Sequence, residues 1–528
     1  MYPTRFLVLL ALLLAGCERE AVLDRQLRTL IEQQQLDGNF QPDLSVQSPA
    51  LAELGGQLFF SPDLSIDGSV SCASCHHPAK GGADGIALPI GIGGEDSRHV
   101  GEQRIQAARQ ANPDVDVNAL IPRNSPSVIN AALYRQAMFW DGRIHYRPLP
   151  DQPGERYIQA GVFGAGQANP SNYRHLNLLQ TQARMPISSV FEMKGGLKPN
   201  LNNHEIEQDV LHFLQASGHW CQAFAAVFGD KSCDTLITLD NLTAALAEFE
   251  ASLVLTNSPF ERYIRGDLAA LDKQQKRGAI HFLQDRENGG AGCVACHSGK
   301  TFSNEQFYNI NIPPSGRGAN EGGWDLGRNN VDKAAERFSF RVPILLNVAH
   351  TAPYFHNGVA ATLEDAIRHK QTAADAVRPA SVIAVADIDY APVRQAIADS
   401  FAAGAARALL PERLSDRQVA DLAAFLRSLG DDCLVDSGCV ATLTRPVVAS
   451  ARQQVVSRPE PQRQRQRQAV EAPQLACAPA GQAGKTGRLG FTRHDGGFGL
   501  EHRREIGLIK KGWLIDVINY ASVSAQDL

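Results

Sequence analysis

A five-residue pattern that occurs twice limits what this chain can fold into. The pattern C-x-x-C-H comprises Cys72, Cys75 and His76 in its first copy and Cys293, Cys296 and His297 in its second. It is the attachment signature of c-type haem, because two thiols spaced in this way reach the vinyl groups of one porphyrin and the histidine binds its iron. A zinc half-site would need further ligands to complete a closed set of four, and a thioredoxin-like redox pair needs no following histidine. The sequence therefore predicts two covalently attached haem c groups.

The N-terminal stretch predicts export. Arg5 precedes an apolar run over residues 6–14 that is too short for a membrane span, and the run ends in Leu14-Ala15-Gly16-Cys17, which resembles a bacterial lipobox. We therefore expect residues 1–16 to be a lipoprotein signal peptide and Cys17 to be lipidated. The lipid would anchor the protein to the periplasmic face of a bacterial membrane without a span. A simple cleaved signal peptide with a chance cysteine is the alternative.

The other cysteines and the net charge narrow the function classes. Cys221 and Cys233, and likewise Cys433 and Cys439, are close enough in sequence to form two disulfides in an oxidising compartment, which leaves Cys477. The sequence alone does not decide this pairing. A formal net charge of -5 argues against a nucleic-acid surface, so no nucleic-acid partner is expected.

Apolar residues at three- and four-residue spacing predict a mainly α core. This spacing is found over residues 206–214, 241–255, 267–285, 363–369 and 415–429, and no region shows sustained strand alternation. Ser415 and Gln418 predict a capping box at the start of the last of these helices. The polar stretches 95–121 and 144–184 contain Pro and Asn, which favour surface loops. The Gln-, Arg- and Pro-rich composition after Cys439 predicts a disordered linker.

Further motifs stand in order around the two haem patterns. They are Pro-Arg-Asn-Ser-Pro at 122–126, Phe-Trp-Asp-Gly-Arg at 139–143, Asn-Ser-Pro-Phe-Glu-Arg-Tyr at 257–263, and a twelve-residue motif at 347–358 that ends in His-Asn-Gly. Over roughly residues 50–430 the chain resembles the bacterial di-haem cytochrome c peroxidase superfamily, which includes the maturase of methylamine dehydrogenase.

This resemblance implies two cytochrome c-like haem domains with long loops. The expected divisions are a tether at 17–45, a first domain with the peroxide-reacting haem at 46–202, a second domain with the electron-accepting haem at 203–440, an interface loop within it at 338–370, a disordered linker at 441–485, and a remnant or partial module at 486–528.

The resemblance also implies roles for two residues near the first haem. Trp140 matches the family tryptophan between the haems, where an indole can relay charge, although a core aromatic is the plainer interpretation. Glu192 matches the distal glutamate, which can move a proton from one peroxide oxygen to the other. The mainly apolar neighbours of Glu192 would raise its pKa into a useful range. A surface glutamate is the alternative.

A calcium ion between the haems is a third implication. Asn124, Thr351 and Pro353 fall on the family's calcium positions. One amide side chain and two backbone carbonyls are suitable hard oxygen ligands. A turn without an ion is the alternative.

Two positions depart from the family pattern. Many family peroxidases have a histidine on the resting first iron where this chain has Ile92, so we expect that haem to be open unless His99 substitutes. At the second iron the family's methionine, or tyrosine in the maturase branch, falls on Lys370, with His369 beside it. None of the four methionines follows the second haem motif. We expect His369 rather than Lys370 as sixth ligand, because imidazole needs no deprotonation; another ligand or none is the alternative.

Three functions fit these observations. The preferred one is a di-haem peroxidase that reduces hydrogen peroxide to water with electrons from a small periplasmic cytochrome c or copper protein. A maturase-like enzyme would instead oxidise Trp or Tyr residues of a partner protein, and an electron-transfer cytochrome would catalyse nothing. The open first haem and Glu192 favour an enzyme, because a carrier usually has both axial positions filled. A homodimer is compatible with each.

Overall fold

The computed structural model describes part of the chain. The described residues are 20–40, 46–92, 94, 98–111, 121–149, 152, 154–162, 166–195, 198, 200–312, 325–369, 398 and 414–445. The predictions for Cys17, Lys370, Cys477, the signal peptide at 1–16, most of the linker and the C-terminal module lie outside them.

Helices form most of the regular structure, as the periodicity predicts. They are α1 (residues 20–33), α2 (Pro49–Phe60), α3 (Glu102–Ala111), α4 (Leu178–Ser188), α5 (Asn203–Gln215), α6 (Gly218–Phe228), α7 (Cys233–Leu236), α8 (Leu239–Ser252), α9 (Pro259–Ile264), α10 (Lys273–Leu283), α11 (Leu363–His369), α12 (Asp416–Arg427) and α13 (Ser437–Thr442). The capping box predicted at Ser415 and Gln418 is confirmed, since each side chain accepts a hydrogen bond from the backbone N–H of the other.

Two helix pairs of the same design flank the two haem motifs in sequence, one helix before and one after each motif. In the first, Gly55 of α2 lies against the backbone of Ala245 and the Cβ of Phe249 in α8. In the second, Gly278 of α10 lies in the same way against the backbone of Asp421 and the Cβ of Phe425 in α12. A Cβ on either glycine would collide with the partner backbone, so the absence of a side chain allows this close approach.

Each helix pair belongs to its own apolar cluster. The cluster beside the first motif runs from Leu54 to Leu253 and includes residues of α5, α6 and α8. The cluster beside the second motif contains Phe260, Phe282 and Phe425. A division of the chain after residue 202 does not follow this packing, because the helices that come next pack with the first motif.

The tether expected at 17–45 is in part a packed helix. Leu27 and Ile31 of α1 are buried in the second cluster, together with Leu36. Asp24 accepts a hydrogen bond from the Tyr263 hydroxyl at 2.8 Å and forms an ion pair with Lys276 at 2.8 Å. Residues 20–36 are polar enough to suggest a solvated chain, but these few apolar side chains are sufficient to dock the helix.

The stretch 144–184, expected to be surface loops, forms a sheet and a helix. Strands β1 (Ala137–Met138), β2 (Ile144–Pro148), β3 (Arg156–Val162) and β4 (Gly166–Tyr173) pair antiparallel in that order, and α4 follows. Ile144 and Ile158 are fully buried, but most of their strand neighbours are polar. Too few apolar residues alternate to reveal these strands, whose stability depends on pairing and on packing against α4.

Two further observations complete the fold. Helix α3 lies within the other stretch expected to be a loop, 95–121. Strands β5 (Phe307–Asn309) and β6 (Ser339–Arg341) form a second, two-stranded antiparallel sheet. Among the residues that the structure describes, no helix is both long enough and apolar enough to cross a membrane.

Candidate functional site

Each C-x-x-C-H motif lies in the wall of a separate cavity. Cys72, Cys75 and His76 line the first cavity, and Cys293, Cys296 and His297 line the second. The disulfides Cys221–Cys233 and Cys433–Cys439 of the described part of the chain involve none of these four cysteines. Two thiols per cavity are therefore left for covalent attachment.

Both motif histidines are oriented in the same way. His76 Nδ1 lies 3.0 Å from the carbonyl oxygen of Pro126, and His297 Nδ1 lies 2.9 Å from that of Phe302. A carbonyl can only accept, so each Nδ1 carries the proton and each Nε2 keeps a lone pair for a metal. Burial lowers the pKa of His76, which favours the neutral imidazole that a metal needs.

Arg341 lines both cavities and adds a cation suited to an acidic cofactor. Its side chain is buried, its Nε donates to the carbonyl of Phe139 at 3.0 Å, and its Nη1 has no hydrogen-bond partner among the described residues. A buried hydrogen-bond donor without an acceptor destabilises a folded protein, and a bound ligand can supply the acceptor. Two thiols, a neutral imidazole and this guanidinium together fit c-type haem, whose propionates are anionic.

Glu192 lies after α4, in a segment that contacts the glycine-rich loop at residues 90–94 of the sequence. The Ile92 N–H donates to the Glu192 carbonyl at 2.9 Å, and a Cβ on Gly91 would come within 2.6 Å of the same oxygen. The Glu192 side chain lines the first cavity. Burial raises its pKa, and the Arg143 guanidinium and a Ser189 hydrogen bond oppose this only partly.

Arg143, which lines the first cavity together with Glu192, belongs to a buried ionic network. Its guanidinium stacks 3.6 Å from the Phe139 ring and pairs with Asp141 at 3.2 Å. Arg123 pairs with Asp141 at 2.8 Å and with Asp325 at 2.6 Å. Burial favours a protonated Asp141, but the two guanidinium groups outweigh burial and hold its pKa at about 2.

Three polar residues of the first cavity do not follow from the sequence analysis. They are Arg143, Gln182 and Glu250. Gln182 Oε1 and Glu250 Oε2 are buried without a hydrogen-bond partner among the described residues, and burial raises the pKa of Glu250 to about 8. Arg143 could have been identified from the motif that contains Trp140. Glu250 lies on α8, where the sequence indicates only an amphipathic helix. Gln182 lies on α4, within the stretch 144–184 that the sequence analysis assigns to surface loops.

The position that often holds a second histidine is aliphatic and turned away. Ile92 packs into the first apolar cluster, with its side chain against Gly195, and does not line the cavity. His99 does not line it either. Among the described residues in the wall of the first cavity, His76 is the only histidine.

Trp140 lines both cavities, together with Tyr134 and Arg341. Its indole Nε1 donates to the carbonyl of Asn124 at 2.9 Å, and its own carbonyl accepts from Arg341 N at 2.8 Å. The Arg341 guanidinium stacks 3.6 Å from the Tyr134 ring. Trp140 is therefore held by one hydrogen bond at its indole and one at its backbone, in the wall that the cavities share.

Of the residues expected to bind calcium, Asn124 lines both cavities, and Thr351 and Pro353 line the second one. The Asn124 amide lies 2.6 Å from the Pro353 carbonyl, with its nitrogen assigned as the donor, and Thr351 lines the second cavity. Turned over, the amide would present its oxygen beside that carbonyl. The described residues contain no group of three or more His, Cys, Asp or Glu side chains able to hold a metal. A calcium site here would depend on amide and carbonyl oxygens instead.

His369 is not placed at the second cavity. It is buried at the end of α11, its Nε2 lies 2.7 Å from the Ile310 carbonyl, and it does not line the cavity. Ligation by His369 would require this imidazole to turn, because the last turn of α11 points it at the Ile310 backbone. The cavity is instead lined by His356, which stacks 3.6 Å from the Phe340 ring. Burial and Arg123 lower the pKa of His356 to about 3 despite the attraction of Asp325.

Comparisons with known proteins point to one family. A family model described as di-haem cytochrome c peroxidase matches residues 49–269, a range that contains the first C-x-x-C-H motif. The chain is 30% identical over 319 residues to a cytochrome c551 peroxidase of Nitrosomonas europaea, which covers 60% of this chain and 71% of the relative.

Two further proteins are similar over most of their length. The methylamine utilization protein MauG of Methylorubrum extorquens is 29% identical over 331 residues, covering 62% of this chain and 70% of the relative. A solved MauG-like protein associated with microbial copper homeostasis has a TM-score of 0.49 at 22% identity, covering 76% of this chain and 96% of that one.

Proposed function

The chain belongs to the di-haem cytochrome c peroxidase family and is an oxidoreductase of that type, and from this we propose that it reduces hydrogen peroxide to water at the first cavity. Two electrons and two protons convert one hydrogen peroxide into two water molecules. The family implies two c-type haems, and a haem in the first cavity would supply an iron that accepts the peroxide and takes up its oxidising power. The protein must then deliver protons and electrons to that place.

The observation that carries this proposal is the position of Glu192. Its carboxyl lines the cavity of His76, and burial raises its pKa. An ionised carboxylate there can accept a proton from one peroxide oxygen and return it to the other, so that water leaves. Arg143 favours the ionised carboxylate, because its charge lowers the pKa that burial raises.

Electrons reach this cavity, we propose, from the second one. Trp140 lines both cavities, and its polar groups are held by two hydrogen bonds. An ordered indole in a shared wall supports the relay that the resemblance implies. The donor is a small periplasmic cytochrome c or copper protein in this proposal.

Other features of the proposal extend beyond this site. We propose one cytochrome c-like lobe around each helix pair, calcium bound at Asn124, Thr351 and Pro353, a sixth ligand of the second haem at His369 or Lys370, and a lipid anchor at Cys17 on the periplasmic face. Glu192 and Arg143 line only the first cavity, and His356 lines only the second. This difference supports separate roles for the two cavities, the first for reaction with peroxide and the second for entry of electrons. A homodimer is compatible with the proposal.

A second candidate function is oxidation of Trp or Tyr residues on a partner protein. It is favoured by Trp140, which could carry oxidising equivalents out of the first cavity as well as electrons into it. In that case reduction of peroxide would be coupled to a protein substrate and a small redox donor would be turned over slowly.

The experiment that tests the proposed function uses the holoprotein and its Glu192→Gln variant. Loss of the proton-transferring group is expected to lower the rate constant for reaction with hydrogen peroxide by roughly 10²–10⁴-fold. Glu207→Gln is the matched control, because Glu207 also has a pKa raised by burial but does not line the cavity. Stopped-flow mixing with peroxide and a reduced small cytochrome c gives both measurements. A wild-type rate in Glu192→Gln would rule out the role of this residue, and slow donor turnover in the wild type would favour the second candidate.

A further inference from the structure

Arg104 is a fully buried cation that donates hydrogen bonds to backbone carbonyls of the glycine-rich loop. It lies on α3 and is 1% exposed. Its Nε donates to the Ile90 carbonyl at 3.0 Å, and its Nη2 donates to the Gly91 carbonyl at 2.8 Å. The guanidinium also lies against Gly94, where a Cβ would collide with it. Two successive carbonyls and a glycine thus define a seat for one planar group.

The same short loop is bonded to Glu192 from its other side. The Ile92 N–H donates to the Glu192 carbonyl at 2.9 Å, and Gly91 approaches that carbonyl and the Glu192 Cα too closely for a side chain. Ile90–Ile92 therefore lies between the Arg104 guanidinium and the Glu192 backbone. A shift of this loop would move the peptide from which the Glu192 side chain projects into the cavity.

A guanidinium is well suited to hold such a loop. Its five donors lie in one rigid plane, so two bonds to adjacent carbonyls set both their distance and their orientation. A lysine in its place would present a single flexible ammonium group. Asp84 is also buried, and burial raises its pKa to about 7 even though the charge of Arg104 opposes this.

From this geometry we propose that Arg104 is a positioning residue for Glu192. It clamps the Ile90–Gly91 backbone, and the loop transmits this constraint to the glutamate through the Ile92 hydrogen bond. The inference rests on the proposed role of Glu192 for its consequence in the reaction, but the clamp itself does not depend on that role. Arg104 comes from the stretch 95–121, so a segment outside the cavity controls a side chain inside it.

The test compares the holoprotein with Arg104→Ala, Arg104→Lys and Gln103→Ala. Gln103 is exposed on the same helix, so its variant controls for a change in α3 alone. Three quantities are measured: hydrogen exchange of the peptides that contain Ile92 and Glu192, the rate constant for hydrogen peroxide, and the affinity for imidazole. Imidazole reports whether the first site still accepts a ligand, and its binding requires no glutamate.

The expected result is a combined change in the first two quantities. Removing two hydrogen bonds to buried carbonyls should speed exchange at the Ile92 amide by roughly tenfold or more. The peroxide rate constant should fall by about tenfold, which corresponds to a misplaced proton-transferring group. Arg104→Lys should lie between wild type and Arg104→Ala, while imidazole affinity and Gln103→Ala should stay at wild-type values.

Several outcomes would overturn the proposal. Exchange at Ile92 that is unchanged would show that Arg104 does not clamp the loop, and fast exchange with a wild-type peroxide rate would show that the clamp does not position Glu192. A peroxide rate that falls only in proportion to imidazole affinity would show a general collapse of the pocket. If Arg104→Ala fails to fold, Arg104→Lys is judged by the same criteria. A wild-type rate in Glu192→Gln removes the proposed role of Glu192 without altering the exchange result, so the two failures are distinguishable.

Discussion

At the scale of single residues, the ionisable groups that line the first cavity, and Asp141 paired with one of them, have surroundings that shift their pKa values in opposite directions. Asp141 lies between two guanidinium groups and is held ionised, with a pKa of about 2. Glu250 has no such neighbour, and burial alone raises its pKa to about 8. Glu192 is intermediate, since burial raises its pKa and Arg143 opposes the rise. A carboxyl that changes proton within a reaction needs this intermediate environment.

Replacing Arg143 with Met should shift the pH dependence of the peroxide reaction. The reactive form of Glu192 is ionised in the proposed mechanism, so the rate rises as the pH rises through its pKa. Removing the cation leaves only the Ser189 hydrogen bond to oppose burial, which raises that pKa further and moves the acidic limb of the profile to higher pH. The bimolecular rate constant measured between pH 4 and pH 9 checks this. Arg184→Met is the control, and a shift of the limb to lower pH would refute the assignment.

Replacing Glu250 with Gln should remove a pH-dependent loss of stability. Below the unfolded pKa the carboxyl is protonated in both states and costs nothing. As the pH rises from about 4.3 to about 8 the unfolded chain releases a proton that the folded chain retains, so wild-type stability falls. The gain for the variant at pH 7 should be on the order of 3 kcal/mol.

Urea unfolding of the Glu250→Gln variant at pH 5 and pH 8 provides the measurement. Glu102→Gln, an exposed change, should keep the wild-type difference between the two pH values. If wild type and Glu250→Gln lose stability equally between pH 5 and pH 8, the burial of Glu250 does not govern this dependence.

At the scale of elements, the two helix pairs pack closely in the same way, each through a glycine at the contact between the helices. Gly55 and Gly278 occupy equivalent places, each facing a backbone carbonyl group and the Cβ of a phenylalanine in the partner helix. Each pair lies in the apolar cluster that also contacts a motif cysteine, Cys72 in one and Cys293 in the other. Close helix approach therefore supports each attachment site.

Alanine at Gly55 or Gly278 should destabilise the fold by about 1–3 kcal/mol, because the added Cβ overpacks the crossing. The matched control is Gly218→Ala in α6, where a Cβ would meet nothing within 4 Å. That change should be neutral or stabilising by up to about 1 kcal/mol, since alanine restricts the unfolded chain. Chemical denaturation followed by far-UV circular dichroism checks all three, and equal effects at the three positions would contradict close packing.

At the scale of the whole molecule, residues distant in sequence build one wall between the two cavities. Asn124, Tyr134 and Trp140 come from the first half of the chain, and Arg341 comes from the second. Hydrogen bonds and a guanidinium stack connect them. This wall gives the cavities a common boundary, which is the arrangement that transfer of electrons between two haems requires.

Replacing Trp140 with Phe should separate chemistry from electron transfer. The cavity keeps an aromatic side chain, so the initial reaction with peroxide should stay within about threefold of wild type. Transfer from the second site should slow by about tenfold, equal to a barrier higher by about 1.4 kcal/mol. Double-mixing stopped flow resolves the two steps. Tyr134→Phe keeps its ring in the same wall and should change neither, so a similar slowing in both variants would argue for a structural effect.

Much of the fold could be predicted from local pattern, and the errors have a common cause. Ser415 and Gln418 were sufficient to predict a helix start, because a capping box acts within four residues. Strands β2, β3 and β4 were missed, since Ile144 and Ile158 are isolated apolar residues whose burial depends on strand pairing. The sequence does not reveal α1 as a packed helix, because Leu27 and Ile31 are buried in a cluster that is formed largely by residues more than two hundred positions later in the chain.

The candidate site divides in the same way between local sequence and tertiary contact. The sequence by itself determined the two attachment motifs and the absence of a histidine at Ile92, because covalent spacing and ligand chemistry are properties of the side chains alone. Only the tertiary structure decided that Trp140 borders both cavities, that Arg104 seats the loop against Glu192, and that His369 faces a backbone carbonyl. Burial, pKa and orientation depend on which segments pack together, and no short stretch of sequence contains that information.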